Sequence, residues 1–113
     1  MVPVEVFYVI CLDSHLRVLF PALVGEGTVK DALVHPRHVV EAALRHRAAS
    51  VILAHNHPGD TAKPSNHDHK LTQQIVQALG SIDIRVADHV IVAVDQFYSF
   101  AREGALPRYE SVS

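Results

Sequence analysis

Residues 5–12 read EVFYVICL: one charge at the start, then an unbroken apolar run rich in β-branched and aromatic side chains. A half-buried strand alternates polar and apolar residues, whereas a continuous run of this length predicts a strand buried on both faces. The run is far too short to cross a membrane. A strand of this kind needs neighbours on both sides and cover above and below. That requirement points to an α/β domain rather than a helical bundle or a small open meander. Residues 50–54, SVILA, are a second run of the same kind.

The remaining elements follow from local chemistry. Asp13-Ser14-His15 is turn material, and residues 16–20 predict a strand returning beside the first as a hairpin. Pro21, Gly25 and Gly27 then break the pattern. Pro36 suits the first position of a helix, and Val39, Val40, Ala43 and Leu44 recur at helical spacing to about residue 47. Ser65 reads as an N-cap, and Leu71, Ile75, Val76 and Leu79 form a second helical stripe that ends at Gly80, read as a C′ residue. Residues 82–86 and 89–94 predict two further strands and 97–100 a short last one. The sum is a mixed, partly antiparallel central sheet flanked by helices.

With 113 residues and no repeat, low-complexity tract or long linker, the chain suits a single domain spanning 1–113. Its one cysteine, Cys11, excludes an internal disulfide and reads as a small buried hydrophobe. The opening lacks a basic leader and a small-residue cleavage site, so a cytoplasmic location is expected, with no membrane partner. A net charge of −2 gives no support to a nucleic-acid footprint, although Arg17, Arg37, Arg45 and Arg47 leave room for a local basic patch. Oligomeric state is not legible.

Nine histidines in so short a chain stand out, and three lie in HNHPGDTAKPSNHD, residues 55–68. Residues two apart on an extended segment face the same side, so His55 and His57 converge and Asn56 points away. Pro58 ends the strand and Gly59 permits a sharp turn. Asp68 then falls in the first turn of the second helix, where it can fold back toward the imidazoles. Two nitrogens and a carboxylate oxygen are a suitable set for a catalytic zinc with an open fourth position. On spacing alone Asp68 fits a helix-capping acid equally well, and Asp60 competes with it as a carboxylate ligand. His67 and His69 read as a solvated helix face and His89 as a strand residue with a satisfied hydrogen bond. His15, His35, His38 and His46 have no evident partners.

The pattern His-x-His, ten residues, then Asp, with Ser three before the Asp, resembles the JAMM (MPN+/JAB) metalloprotease signature, here His55, His57, Ser65 and Asp68. More narrowly, the chain resembles the JAB domain of the bacterial RadC family. Glu5-Val6-Phe7, His35-Pro36-Arg37, His55-Asn56-His57-Pro58, Pro64-Ser65, Asp68, Thr72, Asp88-His89 and Ser99-Phe100 fall in register with that family across essentially the whole length. Two departures stand out. The loop reads HNHP-Gly-Asp-Thr where the family usually has HNHP-Ser-Gly-Asp, and the upstream helix-hairpin-helix region of full-length members is missing.

The resemblance implies a JAB/MPN fold, related in outline to the cytidine deaminase-like sandwich. It implies zinc on His55, His57 and Asp68. It implies Glu5 as the general acid/base and Ser65 as donor to a developing oxyanion. Hydrolysis of a peptide, isopeptide or other amide bond in a protein or peptide substrate follows. A non-catalytic metal-binding module and a DNA-repair accessory domain, the family's traditional label, are the competing expectations. A metallo-β-lactamase-like hydrolase would want an Asp-His pair just after His-x-His, where this chain has Gly59-Asp60-Thr61.

Overall fold

The computed structural model describes residues 4–28 and 34–111. The first and last residues of the expected domain, 1–3 and 112–113, lie outside that range. Five strands and two helices follow in the order β1 (Val4–Leu12), β2 (Val18–Thr28), α1 (Pro36–Arg45), β3 (Ser50–Asn56), α2 (Asn66–Gly80), β4 (Arg85–Val92) and β5 (Phe97–Ser99). They form one mixed sheet in the order β2-β1-β3-β4-β5. The β3–β4 pair is parallel and the other pairs are antiparallel.

The expected α/β architecture is present, with one correction. The apolar strands predict cover on both faces, yet both helices lie on the same face. Topology dictates this. β2, β3 and β4 all run the same way, and the connections β2-α1-β3 and β3-α2-β4 step across the sheet in the same direction. Two right-handed crossovers stepping the same way place their helices on one side. Val39 and Ala43 of α1 and Leu71, Ile75, Val76 and Leu79 of α2 accordingly share one core with Phe7, Val9, Cys11, Val51, Leu53 and Val86. The opposite face carries Tyr8, Ile10, Ile52, Ala54 and Val90, which are only partly buried. An apolar run reports burial but not what does the burying.

Two strand boundaries also differ from expectation. β2 continues through Pro21, Gly25 and Gly27 to Thr28. It is an edge strand, where a residue without an N–H can be accommodated, and two irregularities in its pairing with β1 absorb the misfit. Residues 82–86 and 89–94 are not two strands but one, Arg85–Val92, preceded by a turn. Val51 pairs with Val86 while Ile52 pairs with Asp88, so Ala87 is a bulge residue. The bulge shifts the inside-outside alternation: Val86 and His89 are both buried although three residues apart. Asp88 is held within the strand because its carboxylate accepts hydrogen bonds from the His89 and Ala101 N–H groups and from the Ser99 hydroxyl.

Both helices end on a left-handed residue that is not glycine. Arg47 (φ 52°) and Asp83 (φ 60°) take that role, with Ala48 N–H bonded to Ala43 O and Ile84 N–H to Leu79 O. Gly80, expected as the C′ residue, is instead the last residue of α2. Its importance is close approach: a Cβ there would collide with the Tyr109 ring. Gln77 Nε2 donates to Glu110 O beside that contact, so the C-terminal segment lies along α2.

Leu53 is fully buried at the centre of the sheet. Leu53→Ala is expected to lower unfolding free energy by about 2–5 kcal/mol in urea denaturation. Val94→Ala, at a residue 75% exposed, is expected to change it by less than about 0.5 kcal/mol.

Candidate metal centre

β3 delivers His55 and, one residue beyond its end, His57. The parallel ladder with β4 continues past Asn56, since His57 N–H donates to Val92 O at 2.8 Å. The backbone therefore stays extended, and both imidazoles face the helix side of the sheet as the two-residue spacing predicts. Gly59 N–H then bonds to His57 O and turns the chain away.

α2 delivers the carboxylate. Ser65 caps the helix: its Oγ accepts from Asp68 N–H at 3.0 Å, while Asp68 Oδ2 accepts from Ser65 N–H at 2.8 Å. This reciprocal capping box fixes the first turn. The same carboxylate reaches the histidines. His57 Nε2 is 3.1 Å from Oδ2 and His55 Nε2 is 3.4 Å from Oδ1, and the two Nε2 atoms are 3.2 Å apart. Capping and ligation, alternatives by spacing, coexist in one side chain.

These separations test whether a metal fits. Donors at about 2.0–2.2 Å from a tetrahedral zinc stand roughly 3.3–3.6 Å from each other. The two Nε2 atoms are 3.2 Å apart and each meets one oxygen of the Asp68 carboxylate, at 3.1 and 3.4 Å. With one ligand atom from each residue the set lies within 4.8 Å, so His55, His57 and Asp68 are grouped closely enough to hold one metal ion. Burial by itself would raise the Asp68 pKa. Hydrogen bonds from His55 and from the Ser65 N–H outweigh it and hold the carboxyl well below the usual carboxylate range. The group is thus an anion at neutral pH.

A hydrogen-bond chain behind the site fixes the protonation of His55. The Thr72 hydroxyl lies 2.6 Å from Asp68 O and 2.7 Å from His89 Nδ1. A carbonyl only accepts, so the one hydroxyl proton goes to Asp68 O and Thr72 Oγ1 must accept from His89 Nδ1–H. Burial, followed by the proximity of the His55 charge, pushes the His89 pKa down to about 3, so its ring is neutral and Nε2 carries no proton. That nitrogen accepts from His55 Nδ1–H at 2.8 Å. His55 Nδ1 thus carries a proton, so in the neutral ring it is Nε2, the nitrogen facing His57 and Asp68, that is left to bind a metal.

Aromatic rings close this chain off from water. Phe7 stacks on His55 with centroids 5.3 Å apart, and Phe100 stacks on His89 at 4.7 Å. His89 does have the satisfied hydrogen bonds expected of a strand residue, but its partners make it part of the site. Sequence reasoning missed that role, as it missed Thr72, because both depend on β4 pairing beside β3 and on one face of α2. The helical spacing of Asp68 and Thr72, four residues apart, was the available signal.

The other candidates separate cleanly. Asp60 is exposed and outside the donor cluster. His67 and His69 are exposed, as expected, although His69 meets the edge of Phe100. His35 caps α1 by accepting from Arg37 N–H, and His46 stacks on Phe20. Cys11 is fully buried, and burial pushes its thiol pKa up. Glu5 lies two residues before Phe7 on β1, hence on the same face, and is partly buried. Phe7 pairs with His55 as the last pair of the β1–β3 ladder, and Glu5 lies two residues beyond it on β1.

Thr72→Val keeps the volume and removes the hydroxyl. Zinc affinity measured by calorimetric titration is expected to fall about 10–100-fold, since His89 Nδ1–H loses its acceptor and no longer fixes the His55 tautomer. An affinity equal to wild type would show that the chain behind the site is irrelevant to metal binding.

Comparison with known proteins accords with the geometry. A family model described as RadC-like JAB domain matches residues 1–105. The chain is 49% identical over 104 residues to a UPF0758 protein of Nitrosococcus oceani, covering 92% of this chain and 46% of that protein. It is 47% identical over 100 residues to a UPF0758 protein of Vibrio cholerae serotype O1 and 45% identical over 100 residues to one of Vibrio campbellii, covering 88% of this chain and 45% of each relative. The chain thus spans about half the length of the curated relatives it matches. By the match over residues 1–105 and these identities, the chain belongs to the RadC-like JAB domain family, within the JAMM superfamily.

Proposed function

We propose that this domain is a zinc-dependent hydrolase that cleaves a peptide, isopeptide or other amide bond. The observation that carries the reading is the donor set: two imidazole nitrogens and an ionised carboxylate grouped closely enough for one ion, with Glu5 on the adjacent strand of the same face. A His₂Asp set leaves one position free, as catalytic rather than structural zinc sites do. A zinc ion held there lowers the pKa of water to about 7 and polarises a carbonyl.

The remaining work falls to the chain's own residues. Glu5 takes a proton from the attacking water and returns it to the leaving amine nitrogen. Ser65 Oγ already accepts from Asp68 N–H, which leaves its own proton free to stabilise the oxygen of the attacked carbonyl. The buried His55–His89 pair holds its ligand in one orientation throughout. A protein or peptide substrate is the proposal. A net charge of −2 gives a nucleic-acid ligand no electrostatic support.

A second reading is a metal-holding interaction module whose partner is set by another part of a longer protein. The half-length match to the relatives favours keeping it. Two experiments separate the readings. Elemental analysis of protein purified without chelator or histidine tag is expected to give about one zinc per chain, lost in His57→Ala. Glu5→Gln is expected to retain zinc and lose about 10²–10⁴-fold in turnover of a fluorogenic isopeptide. A zinc-loaded wild type that cleaves no peptide or isopeptide would favour the module, and a chain that takes up no zinc would sink both.

A further inference from the structure

Asn56 occupies the middle of the His-x-His motif, pointing away from the donor cluster, and the chemistry above gives it no part. Its surroundings give it one. The backbone ladder between β1 and β3 ends at the Phe7–His55 pair. Beyond that point β3 follows β4, with His57 N–H bonded to Val92 O. The first residues of β1 therefore continue past the last backbone pair that β3 offers them.

The Asn56 side chain takes the place of the missing peptide. Its Oδ1 accepts from Val6 N–H at 2.7 Å and its Nδ2 donates to Val4 O at 3.1 Å. The amide orientation is forced, because the N–H only donates and the carbonyl only accepts. In an extended strand, N–H of one residue and C=O of the residue two before it point to the same edge. One carboxamide thus does for Val4–Val6 what a neighbouring strand's peptide group would do. The residue between the two anchored groups is Glu5. On its other edge β1 pairs with β2 through Val4–Thr28, Glu5–Gly27 and Val6–Glu26.

We propose that Asn56 is the positioning residue for Glu5: its carboxamide fixes the backbone on either side of that carboxylate, so the segment bearing the proton carrier is registered against the strand bearing His55 and His57. The inference rests on the reading of Glu5 as general acid/base. The chemistry is specific to a carboxamide on a short side chain. Aspartate keeps the acceptor but sets an anion against Val4 O, and leucine of similar size offers neither group.

The test uses the zinc-loaded chain and the variants Asn56→Leu and Asn56→Asp, the second serving if the first fails to fold. Zinc content is expected to stay at the wild-type value, since all three donors are untouched. In Asn56→Leu, amide hydrogen exchange at Val6 is expected to accelerate at least about tenfold, because its acceptor is gone. In Asn56→Asp, which keeps that acceptor and sets an anion against Val4 O, the readout is turnover. With a fluorogenic isopeptide as probe, kcat is expected to fall about 10–100-fold with KM little changed, as a displaced proton carrier would produce. Unchanged exchange at Val6 in Asn56→Leu overturns the clamp, and unchanged kcat in Asn56→Asp overturns the positioning role if the leucine variant does not fold. Faster exchange with unchanged kcat reduces Asn56 to a structural residue and overturns the positioning role. Absence of hydrolysis by the zinc-loaded wild type is a separate outcome: it removes the catalytic reading of Glu5 and, with it, the purpose assigned to Asn56.

Discussion

One hydroxyl proton organises the interior of this domain. Thr72 spends it on the carbonyl of Asp68, and the direction of every other bond behind the site follows: His89 must donate to Thr72, and His55 must donate to His89. The chain links two of the candidate ligands by a route that never passes through the metal position. It also ties three elements together, β3 through His55, β4 through His89 and α2 through Thr72 and Asp68. Polar groups this deeply buried, walled by Phe7 and Phe100, stabilise a fold only when every donor and acceptor is used. The arrangement therefore constrains β3 and β4 to one register and α2 to one rotation about its axis.

Asp68 shows how much one side chain can be asked to do at such a point. Its carboxylate receives the Ser65 N–H, closing the capping box, and stands within 3.4 Å of both imidazoles. Its main-chain carbonyl receives Thr72. Helix start and metal site are thus built from the same atoms, and the loop from Pro58 to Pro64 needs only to bring the helix N-terminus to the end of β3. The capping box determines the geometry at the helix end, so the carboxylate is presented in place before any ion arrives. Such pre-ordering removes part of the cost of assembling a site from mobile groups.

The helices, the two central apolar strands and the convergence of His55 and His57 were legible in the sequence, because each rests on a local periodicity or spacing. Asp68 was chosen over Asp60 only by family resemblance, and the structure groups it with the two histidines. What was not legible rests on pairing between distant segments. The bulge at Ala87 split one strand into two apparent ones. Pro21 looked like a terminator because nothing local reveals that β2 is an edge. The shared face of α1 and α2 follows from strand order, which no window of residues contains. His89 and Thr72 resembled ordinary core residues until β4 was laid beside β3. Asn56 seemed idle because its partners lie fifty and fifty-two residues away. Glu5 was singled out by family resemblance alone; it stands two residues beyond the last β1–β3 pair, Phe7–His55.

That register also explains why an antiparallel strand belongs at the centre of this sheet. In open α/β sheets, sites form beyond the carboxyl ends of parallel strands, and β3 and β4 obey that rule. A parallel neighbour could offer this end of the sheet only its own last residues. β1 runs the other way, so its first residues arrive where β3 finishes, and α2 begins there as well. Three chain segments, the start of β1, the end of β3 and the first turn of α2, converge at one rim of the sheet without a long loop. Each contributes a different side chain: the carboxylate of Glu5, the imidazoles of His55 and His57, and an Asp68 carboxylate already fixed by its helix. Reversing β1 would carry Glu5 to the far end of the sheet, away from His55 and His57, so the direction of this strand is what the function proposed above depends on.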